Sequence, residues 1–102
     1  MYRIFFYNHT DEVLYSLDER TQDQIIGALE QLALDPFAMA QVKKIAGTRD
    51  GYRLRIGRWR VIYLTITEDQ IINILSLFME RSTRDYARII ERLVKMGVVR
   101  RK

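Results

Sequence analysis

The chain has 102 residues, no cysteine, a single histidine and a formal net charge of +4 at pH 7, and its length fits one domain over residues 1–102 with a single core. These counts exclude a disulfide framework, a cysteine nucleophile and a metal site built from several histidines. No apolar run approaches the roughly 20 residues of a membrane span, and the N-terminus starts with a strand-like pattern, so we expect a soluble cytoplasmic protein that contacts no membrane.

The first part of the chain predicts one strand followed by two helices. Residues 2–7 are rich in aromatic and β-branched side chains, which is typical of a strand. Asp11–Leu17 is predicted as a short helix, and Thr21 as the N-cap of a second helix that ends at Asp35 and Pro36. We expect both helices to cover a sheet.

A connector is predicted over Phe37–Gly47. It contains two adjacent cations, Lys43 and Lys44, which could contact phosphate. A lysine pair in a loop is more often simply solvated, so both interpretations stay open.

Residues 51–63 predict a β-hairpin whose turn is formed by Gly57 and Arg58, because a two-residue loop with glycine first is typical of a type II′ turn. Antiparallel pairing around that loop sets Arg55 opposite Arg60. Since side chains alternate across a strand, one face is apolar and packs in the core. The other face carries three arginines and two apolar residues, namely Arg53, Arg55, Arg60, Ile62 and Leu64.

This arginine-bearing face has two interpretations. Like charges opposite each other weaken a sheet by some tenths of a kcal/mol, so the arginines add nothing to folding and could bind an anion. Alternatively, the face is solvated and the arginine stems cover apolar neighbours. From the sequence pattern alone, we give anion binding and a solvated face about equal weight.

The last part of the chain predicts a buried strand, a helix and a tail. Ile71–Met79 is apolar at both parities, which is typical of a central strand covered on both faces. Ser82 or Thr83 is expected to cap a helix from Arg84 to about Met96, and residues 98–102 form a basic tail that we expect to be mobile. A row of cations on this helix is interpreted as ordinary solvated surface: Arg84, Arg88, Arg92 and Lys95.

The predicted element order is β-α-α-β-β-β-α. It corresponds to an α+β fold with a small antiparallel sheet, two N-terminal helices packed on one face and a C-terminal helix on the same side. Charge is unevenly distributed, since residues 1–50 carry five Lys/Arg and eight Asp/Glu whereas residues 51–102 carry twelve and five. A basic half of this kind indicates a polyanionic partner, nucleic acid before membrane.

The order of elements and several local sequences resemble the RelE/ParE superfamily of bacterial and archaeal type II toxins. The matching segments span nearly the whole chain in family order and are residues 43–47, 51–57 and 60–63, then Arg81 and Tyr86. The resemblance implies a toxin neutralised by an antitoxin that wraps it. Within the RelE branch it implies cleavage of mRNA in the ribosomal A site, where the RNA 2′-hydroxyl attacks the adjacent phosphate, with cations and a tyrosine instead of a metal or other cofactor.

The resemblance also implies roles for individual residues. Arg60 and Arg81 would stabilise the charged phosphate, because a guanidinium group matches its oxygens. Tyr86 would transfer a proton or stack on a base. The RNA backbone would be held by Arg53 and Arg55, and Lys43 and Lys44 of the connector are added as RNA-binding candidates because of their charge.

One position departs from the family pattern. Many relatives have a histidine before the strand-end arginine, where this chain has Glu80. An acid there would repel phosphate unless Arg81 or Arg84 pairs with it. Arg81 could instead neutralise Glu80 or Asp85, and Tyr86 could be an amphipathic residue at the start of the helix.

Three functions therefore compete. The first is a ribosome-dependent mRNA endonuclease, the second a ParE-like inhibitor of DNA gyrase, and the third a toxin-like binding protein without activity. Convergence of the arginines favours the first, and their dispersal or ion pairing favours the others. The expected antitoxin helix would bind an apolar groove, either beside Ile62 and Leu64 or where the last helix now packs.

Overall fold

In a computed structural model that describes all 102 residues, a five-stranded sheet is flanked by three helices. The elements are β1 (Arg3–Phe6), α1 (Thr10–Tyr15), α2 (Glu19–Leu34), β2 (Val42–Lys44), β3 (Gly51–Ile56), β4 (Trp59–Ile66), β5 (Ile71–Met79) and α3 (Thr83–Lys95). None of the helices combines the length and apolar character needed to cross a membrane. The α+β class predicted from the sequence is confirmed.

The sheet differs from the prediction in two respects. Its strand order is β1-β5-β4-β3-β2, and β1 runs parallel to β5, so the sheet is mixed and not purely antiparallel. The predicted connector contains β2, a three-residue edge strand paired with β3. Too short to show an alternating pattern, β2 is defined by its pairing with a distant strand.

Apolar residues fill the space on both faces of the sheet. The larger core lies under α1 and α2 and includes Leu14, Leu32 and Tyr63. The second core lies under α3 and includes Ile62, Leu75 and Leu93. The prediction that all helices lie on one side was therefore wrong, because the second apolar face of β5 and Ile62 require a cover of their own.

The covered state of Ile62 also corrects the groove expected beside it. Ile62 is fully buried, and Leu64 is partly buried against the same second core. An antitoxin helix could not bind there without displacing the elements that now cover these side chains.

The N-terminus of α2 shows how a short-range contact shifts a boundary. Asp18, and not Thr21, is the N-cap, and its carboxylate accepts hydrogen bonds from the Thr21 N–H at 3.1 Å and the Thr21 hydroxyl at 2.6 Å. These bonds to Thr21 lower the pKa of the Asp18 carboxyl. The helix consequently starts two residues before Thr21, because Asp18 is an equally good cap and satisfies one of the free N–H groups of the first turn.

The basic tail is docked, contrary to the prediction that it is mobile. Val99 is 2% exposed within the second core. The Arg49 N–H donates to the Arg100 carbonyl, and the Lys102 N–H donates to the Gly47 carbonyl, both at 3.0 Å. The tail therefore ties α3 to the loop between β2 and β3.

Candidate functional site

The β3–β4 hairpin has the register predicted from the sequence. Gly57 and Arg58 form the loop, Gly57 has φ +58°, and Arg55 lies opposite Arg60. The predicted apolar face packs in the larger core, where Leu54 and Val61 are buried. The arginines consequently lie on the opposite face, which is the side that α3 partly covers.

Three cations on this side form what we call the cationic strand face: Lys43, Arg53 and Arg55. Lys43 on β2 lies directly opposite Arg53 on β3, and Arg55 follows two residues along the same strand. Lys43 and Arg55 are exposed, and none of the three belongs to an ion pair in the structure. Like charges on neighbouring strands weaken a sheet. Placing Lys43 opposite Arg53 therefore lowers the stability of the fold.

Tyr86 from the first turns of α3 lies against the cationic strand face. The Arg53 guanidinium carbon is 5.9 Å from the centroid of the Tyr86 ring, within cation–π range. The Nε of Arg53 is buried and has no hydrogen-bond partner. This N–H group is therefore unsatisfied within the protein, and it is accessible to an external oxygen only if the Arg53 side chain moves.

The Tyr86 phenol is held in its protonated form. Burial raises its pKa above the ordinary value, the charge of Arg53 opposes that rise, and the nearby charge of Glu80 adds to it. At neutral pH the group can therefore donate a proton or a hydrogen bond, and it is not a phenolate base.

Arg60 lies on the same side but is not free. Its Nε donates to a Glu80 carboxylate oxygen at 3.1 Å, and its Nη2 is 3.0 Å from that oxygen. Its Nη1 donates to the carbonyls of Gly57 at 2.7 Å and Trp59 at 2.9 Å. Arg60 is 6% exposed, so the structure commits most of its hydrogen-bonding groups to the protein.

The partner of Glu80 is thus neither of the two arginines considered from the sequence. Both Arg81 and Arg84 belong to no ion pair. The Arg81 backbone N–H, and not its side chain, donates to the Asp85 carboxylate, at 2.9 Å. The cross-strand position of Arg60 beside the end of β5 decides the pairing, and separation by twenty residues hides it from sequence patterns.

Two other predicted residues lie apart from the cationic strand face. Arg81 is exposed and lines a shallow cavity of about 450 Å³ beside α3, together with Arg88 and Arg92. Lys44 points to the opposite sheet face, where its Nζ donates to the Arg49 carbonyl and lies 5.6 Å from the Tyr52 ring centroid. Of the predicted residues, the structure therefore places Tyr86 against Arg53, with Lys43 and Arg55 on the same face by strand register and Arg60 paired with Glu80.

No group of three or more histidine, aspartate or glutamate side chains converges in the fold to form a metal site. The chemistry available at the cationic strand face is therefore that of arginine, lysine and a neutral phenol. These groups bind and neutralise phosphate oxygens and can protonate a leaving oxygen.

A family profile described as "ParE toxin of type II toxin-antitoxin system, parDE" matches residues 2–86 of the chain. A comparison with curated proteins gave no significant match.

Solved structures of RelE proteins share the fold. RelE in the archaeal RelE–RelB complex from Pyrococcus horikoshii is 30% identical, with a TM-score of 0.69 over 79% of this chain and 98% of that chain. The isolated Escherichia coli RelE toxin is 19% identical, with a TM-score of 0.71 over 91% and 99%. The RelBE2 toxin–antitoxin complex from Mycobacterium tuberculosis gives 20% identity and a TM-score of 0.63 over 78% and 98%.

Proposed function

The chain belongs to the RelE/ParE superfamily of type II toxins, and on that premise we propose that it is a ribosome-dependent mRNA endonuclease that inhibits translation. The observation that carries the proposal is the juxtaposition of unpaired cations on the strand face with the protonated phenol of Tyr86. The 30% identity with an archaeal RelE supports the RelE branch.

The proposed reaction is transfer of a phosphoryl group within the RNA. The 2′-hydroxyl releases its proton to solvent water as its oxygen bonds to the adjacent phosphorus, the bond from phosphorus to the 5′-oxygen breaks and that oxygen takes up a proton, and the products are a cyclic phosphate and a 5′-hydroxyl. The cations would hold the backbone and neutralise the charge that builds on the phosphate oxygens. Tyr86 would donate its proton to the leaving 5′-oxygen or position the base by stacking.

The cations differ in what they would contribute. Arg53 and Arg55, with Lys43, would bind the phosphate backbone, and the absence of an ion pair at any of the three supports this role. Arg60 would stay paired with Glu80 and hold that carboxylate in position. It would contact the reacting phosphate directly only when bound substrate breaks this ion pair. Arg81 and Lys44 would contact RNA outside the reacting phosphate, since neither lies on the cationic strand face.

A cognate antitoxin is the proposed protein partner. RelE relatives crystallised as complexes with RelB antitoxins, and an acidic antitoxin segment would neutralise the cationic strand face. We propose that the toxin acts in the cytoplasm, where it would meet ribosomes and mRNA.

Primer extension on a reporter mRNA in a cell-free translation reaction tests the proposal. The purified protein is expected to produce cuts confined to translated codons. Arg53→Gln should weaken cutting at least tenfold, because a charge-assisted contact to phosphate is worth about 1.5–3 kcal/mol. Arg20→Gln, which removes an exposed charge from α2, is the matched control and should cut like the unmodified protein.

An uncut message in the presence of folded protein would contradict the proposal. Equal cutting by Arg53→Gln and Arg20→Gln would instead remove Arg53 from the site while leaving the activity.

Inhibition of DNA gyrase is the second candidate function. The matching profile carries the ParE description, and the pairing of Arg60 with Glu80 leaves one arginine fewer for phosphate than the sequence indicates. A supercoiling assay with purified gyrase tests it, and loss of supercoiling together with an intact message would favour this candidate.

A further inference from the structure

A second concentration of positive charge lies along the outer side of α3 and the residue just before its cap, and we call it the arginine row: Arg81, Arg84, Arg88 and Arg92. At 100° per residue Arg84, Arg88 and Arg92 fall within about 80° of the helix circumference, and Lys95 falls in the same arc, while Arg81 lies just before the N-cap Ser82. The apolar side chains of α3, including Ile89 and Leu93, lie on the opposite side and pack in the second core. The arginine row therefore lies on the exposed side of α3, and Arg88 and Arg92 also border the groove between α3 and Phe78 of β5.

The acids near the arginine row form no ion pair with it. Asp85 accepts from the backbone N–H groups of Arg81 at 2.9 Å and Ser82 at 3.2 Å, as part of the N-terminal cap. Glu91 pairs with Lys95 at 3.8 Å. All four arginines are exposed, and none belongs to an ion pair.

The spacing of the row opposes helix formation. Arg84, Arg88 and Arg92 repeat at four-residue intervals, and like charges at that spacing destabilise a helix. Successive arginines of this triplet are about 6 Å apart along the axis, so the row presents a line of charge and not a point. The row also borders concave surface, since Arg88 and Arg92 line shallow cavities of about 450 and 360 Å³ on either side.

We propose that the arginine row is a nucleic-acid-binding surface that contacts the phosphodiester backbone independently of the cationic strand face. A line of unpaired guanidinium groups fits successive phosphates and makes no demand on base sequence. The row would hold the toxin on the structured RNA around its target, whichever phosphate is cut. It does not depend on the proposed endonuclease activity, because backbone binding involves no reaction.

The test measures binding of a short fluorescein-labelled RNA duplex by anisotropy as a function of salt. The triple variant Arg84→Gln, Arg88→Gln, Arg92→Gln is expected to bind at least about tenfold more weakly near physiological salt, with a slope of log affinity against log salt smaller by about 2 to 3. The charge-matched control Arg3→Gln, Arg20→Gln, Arg100→Gln removes three exposed charges outside α3 and should change both quantities much less.

A second control separates charge from folding. The triple arginine-to-lysine variant keeps the charge and should retain most of the binding, and circular dichroism should show equal helix content in all variants. Binding of a DNA duplex of the same sequence shows whether the arginine row distinguishes RNA from DNA. Equal affinity indicates general backbone binding and tighter binding of RNA indicates structured RNA, and both agree with the proposal.

Equal salt slopes for the triple glutamine variant and its charge-matched control would overturn the proposal. Binding of labelled polyglutamate tests the alternative that the arginine row binds an acidic protein segment. If the triple variant lost binding of polyglutamate but not of RNA, the arginine row would be a surface for an acidic protein segment. Cleavage is scored separately by primer extension, so failure of this inference and failure of the proposed endonuclease are distinguishable.

Discussion

At the scale of single residues, Arg60 lies on the same sheet face as Arg53 and Arg55, but its guanidinium is bound by other groups of the protein. Its side chain is 7% exposed, the Glu80 side chain is 20% exposed, and two backbone carbonyls accept hydrogen bonds from Arg60. Such a pair costs desolvation when it forms, but breaking it leaves one charge unpaired in a poorly solvated place. Arg60 therefore supports the end of the hairpin whatever its part in function.

Arg60→Ala is expected to lower the free energy of unfolding by about 3 kcal/mol. The substitution leaves the half-buried Glu80 carboxylate without its cation and two backbone carbonyls without a hydrogen-bond donor. Denaturant unfolding followed by circular dichroism measures the change. Arg60→Met combined with Glu80→Leu should recover much of the loss. Unchanged stability of Arg60→Ala would show that the ion pair contributes nothing in solution.

Tyr86 gives a prediction in which the sign of the pKa shift matters. Since burial raises its pKa, the phenol is protonated throughout the neutral and mildly alkaline range. The factor by which Tyr86→Phe reduces cleavage should therefore be constant from about pH 7 to 9, the region below the ordinary tyrosine pKa of about 10. A factor that grows steadily with pH in this range would identify a phenolate base and contradict the assignment.

The raised pKa of Tyr86 also affects the free energy of unfolding, at alkaline pH. Above the ordinary tyrosine pKa the unfolded chain loses its phenol proton before the folded chain does, so the folded state binds more protons. The stabilisation linked to this proton is present below pH 10 and is lost as pH rises through the folded-state pKa.

At the scale of elements, the hairpin could be predicted from sequence because its determinants are local. Period-two alternation and Gly57 specify both the register and the face of every side chain, and the structure agrees at each pair. The position of α3, the strand β2 and the docked tail depend on contacts between distant segments. Val99, for example, is buried only because Ile45 and Leu93 are brought beside it.

Within the candidate site, Arg53 and Arg55 could be placed on one face from alternation, whereas the face of Lys43 and the state of Arg60 could not be predicted. Its partner Glu80 is twenty residues away, and the sequence offers nearer arginines to the same acid. The face of Lys44 was equally hidden, because the strand β2 that sets it was not recognised.

The docked tail is testable through Val99. Val99→Ala removes two buried methyl groups and is expected to lower the free energy of unfolding by about 2 kcal/mol. It should also speed hydrogen exchange at the Arg49 N–H, which is bonded to the Arg100 carbonyl. Val98→Ala, at a less buried neighbouring position, is the control. Equal exchange at Arg49 in all three proteins would show that the tail does not hold the loop.

At the scale of the whole molecule, the uneven charge of the sequence becomes an uneven charge in space. The acids of α1 and α2 lie over one sheet face, including Glu12, Asp23 and Glu30. The cationic strand face and the arginine row lie on the other side, where α3 packs. A molecule polarised in this way meets a polyanion preferentially with its basic side, which is also the side that carries Tyr86.

The central claim is that the message is cut by its own 2′-hydroxyl beside these cations. The most direct measurement is primer extension on translated messages in which one susceptible codon carries a 2′-O-methyl group on the nucleotide that precedes the cut. We predict that the cut disappears at that codon and persists at unmodified codons of the same message. A cut that survives the modification would contradict the account, because no 2′-hydroxyl would be available to attack the phosphate.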